Sequence, residues 1–139
     1  MKSSQVLISD FDGVIVDGIL EYWETARSAC LKLLGPTHES LSLPITVPKS
    51  FQAIRPWVHH GWEMVLLAAE LLRPKSPLLV QGTSFFCANY EVHCKQALEA
   101  WQWSPQQLLN TLEDVRRESI KTDAQHWRNL HQPFPGVIE

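Results

Sequence analysis

The chain has 139 residues, 45% of them hydrophobic and 19% charged, with a net charge of -3 and a pI near 6.0. That length and composition suit one compact unit with a buried core and exclude disordered or supercharged classes. The slight negative charge and scattered Lys and Arg give no electrostatic footprint for nucleic acid, and the first apolar run meets Asp10 too soon to be a signal-peptide core or a membrane span.

Gln5-Val6-Leu7-Ile8-Ser9 is a short apolar run that ends in an acidic turn, which predicts a buried strand of parallel-sheet type. Tyr22, Trp23, Ala26, Cys30, Leu33 and Leu34 then recur at helical spacing until Gly35-Pro36 stops them. Residues 36–49 are rich in Pro, Ser and Thr without a sustained period, so a loop is expected. A helix is expected over residues 57–72, with Val58, Trp62, Val65, Leu66, Ala69 and Leu72 on one side and Arg73-Pro74 as its end. Leu78-Leu79-Val80 is too short to choose between an extended segment and the start of a helix, whereas residues 84–103 predict a helix.

Ser104-Pro105-Gln106-Gln107 combines a capping residue, a first-turn proline and a capping-box glutamine ahead of Leu108, Leu109, Leu112 and Val115. Thr122-Asp123-Ala124-Gln125 repeats the capping pattern, and either starts a separate helix to His131 or bends the preceding one. Pro133-Phe134-Pro135-Gly136 reads as a turn. The expected fold is mostly α, with one N-terminal core-type strand followed by four or five helices. A lone strand cannot be a sheet, so it either pairs with another chain or lacks strands that relatives carry.

Chemistry concentrates where that strand ends. Asp10 and Asp12 flank Phe11 and precede Gly13, and ligands of open parallel sheets bind beyond the carboxyl ends of the strands. Two carboxylates at this spacing can share one small volume and attract a hard, oxygen-seeking cation such as Mg2+. An aspartate carboxylate can also attack phosphorus to give an aspartyl phosphate.

Asp10-Phe11-Asp12-Gly13-Val14-Ile15-Val16-Asp17, directly after Val6-Leu7-Ile8, resembles the first motif of the haloacid dehalogenase superfamily, in particular its phosphoglycolate-phosphatase-like branch. The resemblance implies a Mg2+-dependent phosphomonoester phosphatase in which Asp10 is the nucleophile and Asp12 the general acid and base, both holding the metal. It also implies two parts: residues 1–20 as first strand and catalytic loop, and residues 21–139 as an α-helical cap. In that branch a Ser or Thr, a Lys and a second acidic loop follow the cap, and these 139 residues stop where the cap ends. The expectation is therefore an incomplete α/β fold of this type, weakly active or inactive alone, since losing a cationic clamp in phosphoryl transfer costs on the order of a thousandfold. The alternative is a non-catalytic helical protein, derived from such a cap, that binds a ligand or a partner. A split gene or a fragment would leave the same pattern.

Other residues are weighed more briefly. Arg55, at the start of a cap helix, is a candidate to reach an anionic substrate through its forked donors. His59 and His60 are adjacent, which suits different faces of a helix rather than one metal, and Cys87, His93 and Cys94 lack a ligand spacing. Lys121, Thr122 and Asp123 receive no catalytic role. Six tryptophans suggest bundle packing rather than a base-stacking platform. Three cysteines, an odd number, point to reduced thiols and a cytoplasmic setting. The expected partners are a small phosphorylated metabolite, and a protein or second copy covering the lone strand, with neither nucleic acid nor membrane.

Overall fold

The computed structural model describes residues 16–36 and 42–133, and their architecture is mostly α. The strand expected over residues 5–9 lies outside the described residues. Three helices form the centre: α1 (Ile19–Leu34), α3 (Gly61–Glu70) and α7 (Pro105–Thr122) each pack against the other two. Residues 63–70 of α3 are all buried. A helix this apolar around its circumference is stable only when surrounded, so α3 is the axis of the fold.

Smaller elements close around this trio: α2 (Lys49–Ile54), a 3-10 turn (Arg55–Trp57), α4 (Pro77–Val80), α5 (Thr83–Ala88), α6 (Tyr90–Trp101) and α8 (Ala124–Asn129). Phe51 of α2 meets Trp23 of α1 edge-on, with ring centroids 4.9 Å apart, and both are buried. The segment before α2 is tied to α1 by its carbonyls, because Trp23 Nε1 donates to Pro44 O and Arg27 Nε donates to Leu43 O, each at 3.0 Å. At the ends of the helical unit, β1 (Val16–Asp17) pairs antiparallel with β2 (Gln132–Pro133), Val16 opposite Pro133 and Asp17 opposite Gln132. Among the described residues, extended pairing is confined to this two-rung ladder.

Several predicted boundaries hold. Helix α1 ends at Leu34, and Gly35 follows with φ 70° and ψ -178°, a backbone region that a side chain strains. Ser104 caps α7 through Oγ, which accepts the Gln107 N–H at 3.2 Å. Helix α8 is separate from α7, and its cap is Asp123, whose carboxylate accepts the His126 N–H at 3.0 Å.

Two predicted helices are corrected. The helix expected over residues 57–72 begins at Gly61, after a 3-10 turn with proline in its first turn and an extended His60 (φ -128°, ψ 141°). Glu63 enforces that start, since its carboxylate accepts the backbone N–H groups of His59 and His60. The helix expected over residues 84–103 is broken at Asn89 (φ -131°, ψ 49°) into α5 and α6. His93 spans the break: its ring Nδ1 lies 2.9 Å from Phe86 O, and the ring stacks on Phe86. Helix α2 falls partly in the segment expected as loop, where Phe51 and Ile54 alone carry the buried side.

Candidate functional site

The first turn of α1 carries two neighbours with opposite tasks. Glu21 is buried and faces inward, while Tyr22 presents its ring to a cavity between α1, the turn after α2, the start of α3 and α7. The cavity has a volume of about 320 Å³ and is lined by Tyr22, Arg55, His59, His60, Gly61 and Arg116, with Val58 and Met64 as its apolar patches. The guanidinium carbon of Arg55 lies 4.7 Å from the Tyr22 ring centroid, and that of Arg116 lies 5.9 Å from the same ring. Both distances fall within cation–π range.

Arg116 is fixed from behind. Its Nε donates to Glu21 Oε1 at 2.7 Å and its Nη2 to Glu21 Oε2 at 3.1 Å, and Thr25 Oγ1 donates to Glu21 Oε1 at 2.9 Å. A buried carboxylate is tolerated only when paired and hydrogen-bonded, and Glu21 has both. The helical spacing of Glu21 and Thr25 sets them on one face of α1, opposite a residue 95 positions away. The third contribution comes from α3, whose N-terminal His60 and Gly61 line the cavity with the positive end of the helix dipole. Packing at Gly61 is close as well, since a Cβ there would stand 3.3 Å from Leu112 Cδ2, which would have to shift by a few tenths of an ångström.

A second polar cluster is sealed in the interior. Glu70, fully buried at the end of α3, accepts hydrogen bonds from Arg73 Nε (2.8 Å), Arg73 Nη2 (2.7 Å), Ser76 Oγ (2.6 Å) and Trp101 Nε1 (2.9 Å). These bonds raise the Arg73 guanidinium further above its ordinary value and lock α3, α4 and α6 together. With Glu70 and Ser76 fully buried, the role of the cluster is structural.

Of the residues weighed from sequence, Arg55 lies in the cavity together with His59 and His60, while Asp10 and Asp12 lie outside the described residues. Thr122 Oγ1 donates to Glu118 O at 2.7 Å and Asp123 caps α8, so that cluster has local helical duties. His59 meets Tyr90 edge-on and His60 stacks on Trp62. Burial pushes the Cys30 and Cys94 thiols up to about 12 and raises Cys87 as well, which keeps them protonated and unreactive at neutral pH. Trp23 belongs to the core, Trp101 stacks on Trp103 with centroids 5.0 Å apart, and Trp57 is exposed. Among the described residues, no group of three or more His, Cys, Asp or Glu is placed to hold a metal.

Sequence reasoning missed Glu21, Tyr22 and Arg116 as partners. Arg116 directly follows buried Val115 on α7, which marks the edge of an apolar stripe, but no local pattern links it to residue 21. No family model matches the chain, and no curated protein or solved structure matches it. No helix among the described residues is long and apolar enough to cross a membrane.

Proposed function

We propose that the chain descends from the phosphatases of the haloacid dehalogenase superfamily, with Asp10 as nucleophile and Asp12 as general acid and base acting on a small phosphorylated metabolite in the cytoplasm. The observation that carries this reading is the run Asp10-Phe11-Asp12-Gly13-Val14, which follows an apolar strand-like segment and precedes a helical unit. The ladder of β1 with β2 supports it, because a cap inserted into a core must leave close to where it starts. The proposed division is residues 1–20 as core segment and 21–139 as cap, an incomplete α/β fold of that type.

By donor chemistry the Asp10 carboxylate and the Asp12 backbone carbonyl fit Mg2+, which would screen a phosphoryl group from the attacking anion. Asp10 would attack phosphorus and form an aspartyl phosphate while Asp12 protonates the leaving oxygen, and Asp12 would then deprotonate the hydrolytic water. Arg55 would contact the anionic substrate from the cap side. These residues hold only the first of that family's motifs, so the chain alone is proposed to be weakly active or inactive.

Calorimetry with Mg2+ and a generic phosphomonoester assay test the reading. The expected result is Mg2+ binding weakened at least tenfold by Asp10→Asn, with barely measurable turnover. Mg2+ binding indifferent to Asp10→Asn would sink the phosphatase lineage. Brisk Mg2+-dependent turnover abolished by Asp10→Asn would instead keep the lineage and overturn the inactivity. A second reading, a non-catalytic binding protein built from a cap, is favoured by a cavity whose lining, among the described residues, comes from the helical unit.

A further inference from the structure

We infer that the helical unit carries an oxyanion pocket of its own, at Tyr22, Arg55, His60, Gly61 and Arg116, which takes a small phosphate- or carboxylate-bearing molecule without Asp10, Asp12 or Mg2+. This inference does not rest on the phosphatase reading, because every group it uses belongs to the described helical residues.

Three independent features converge on the cavity. First, two guanidinium groups on different elements share one aromatic ring, at 4.7 and 5.9 Å. A guanidinium has five N–H donors and a carboxylate engages two of them. Arg116 therefore keeps donors for a second anion after serving Glu21, and Arg55 brings a second guanidinium charge to the same ring. Second, the start of α3, a helix of 10 residues, lines the same space, and oriented peptide dipoles favour negative charge there, a preference that the Glu63 carboxylate answers in part through the His59 and His60 N–H groups. Third, His59 and His60 add ring nitrogens that can donate to an oxyanion.

Size and rigidity narrow the occupant. A cavity of about 320 Å³ is at the small end for ligand sites, which suits a small metabolite. The two arginines exclude a bare divalent cation. Arg116 is held by Glu21 and Arg55 lies against Tyr22, so little side-chain freedom remains to be lost on binding. Glu21 is a positioning residue here, since it touches Arg116 and not the cavity.

Calorimetric titration of the full chain, in metal-free buffer at physiological salt, decides the matter. Inorganic phosphate and malonate serve as separate arms to distinguish a phosphate from a carboxylate ligand. The expected result is saturable one-to-one binding of at least one probe, weakened at least tenfold by Arg55→Gln and by His60→Glu. The Asp10→Asn/Asp12→Asn double variant should retain affinity within about twofold, a level of change far below a lost charge-assisted bond. Absence of saturable binding for both probes overturns the inference, as does binding indifferent to Arg55→Gln and His60→Glu. Binding lost only in the double aspartate variant also overturns it, and leaves the phosphatase reading standing. Circular dichroism checks each variant for folding; if Arg55→Gln unfolds, His60→Glu at an exposed position decides alone.

Discussion

Buried carboxylates reveal most about how single residues act here. Glu21 and Glu70 are both about fully buried, and each is matched by an arginine with further neutral donors. Removing one member leaves a charge or several donors without a partner, which costs more than the intact pair contributes. Glu70→Ala is expected to lower unfolding free energy by about 3–5 kcal/mol in urea titration, whereas Trp101→Phe, which drops a single hydrogen bond, should cost nearer 1 kcal/mol. The thiols make a pH prediction. Cys30 and Cys94 lie at about 12 in the folded chain against an ordinary 9.0, through burial. Below about pH 9 both folded and unfolded states keep these protons, and their contribution is fully present. Between 9 and 12 the unfolded chain sheds protons that the folded one retains, so stability falls by roughly 1.4 kcal/mol per pH unit per thiol. Cys30→Ala should flatten that alkaline slope by one thiol's share, read from denaturation midpoints across pH 8.5 to about 11. At this scale sequence spoke unevenly: Arg55 was singled out beside Pro56 ahead of a helix that in fact begins at Gly61, while the bond between Glu21 and Arg116 joins residues no pattern connects.

Helices were legible where the chain carries its own punctuation. Gly35 and Ser104-Pro105 end or begin helices by local chemistry, and the boundaries there match expectation, whereas α8 is capped by Asp123 rather than by Thr122, which ends α7. They were illegible where tertiary bonds set the limit: Glu63 bonding back to His59 and His60 delays α3, and His93 at Phe86 O stabilises the break between α5 and α6. Short α2 and α4 have too few residues to show a period, though Ser76 caps α4 from buried surroundings. Two substitutions probe these devices. Ser104→Ala should cost about 1 kcal/mol through loss of the α7 cap. Gly82→Ala should cost about 1–3 kcal/mol, because Gly82 sits at φ 90° and ψ 175° between α4 and α5. Nothing lies within 4 Å of the added Cβ, so that loss is conformational, and thermal unfolding of each variant reads it out.

For the whole molecule, the expected predominance of helix is what the structure displays, and the two-rung ladder is what sequence could not offer, since Gln132-Pro133 has no strand character of its own. Its partner choice is a consequence of how α1 and α7 pack, with α8 leading the chain back. A fragment of residues 16–133 contains the full α1–α3–α7 bundle, and it is expected to unfold in one cooperative step; a broad, non-cooperative melt by circular dichroism would refute this. The ladder also fixes a distance. Paired strands lie about 4.8 Å apart, so the two termini of the bundle are near enough to be spliced into a surface loop of an unrelated host without spreading that loop's ends. They are also near enough to be joined by a few glycines while new termini are opened between α6 and α7. In engineering terms the unit is a cassette, portable wherever a host can present two neighbouring backbone ends.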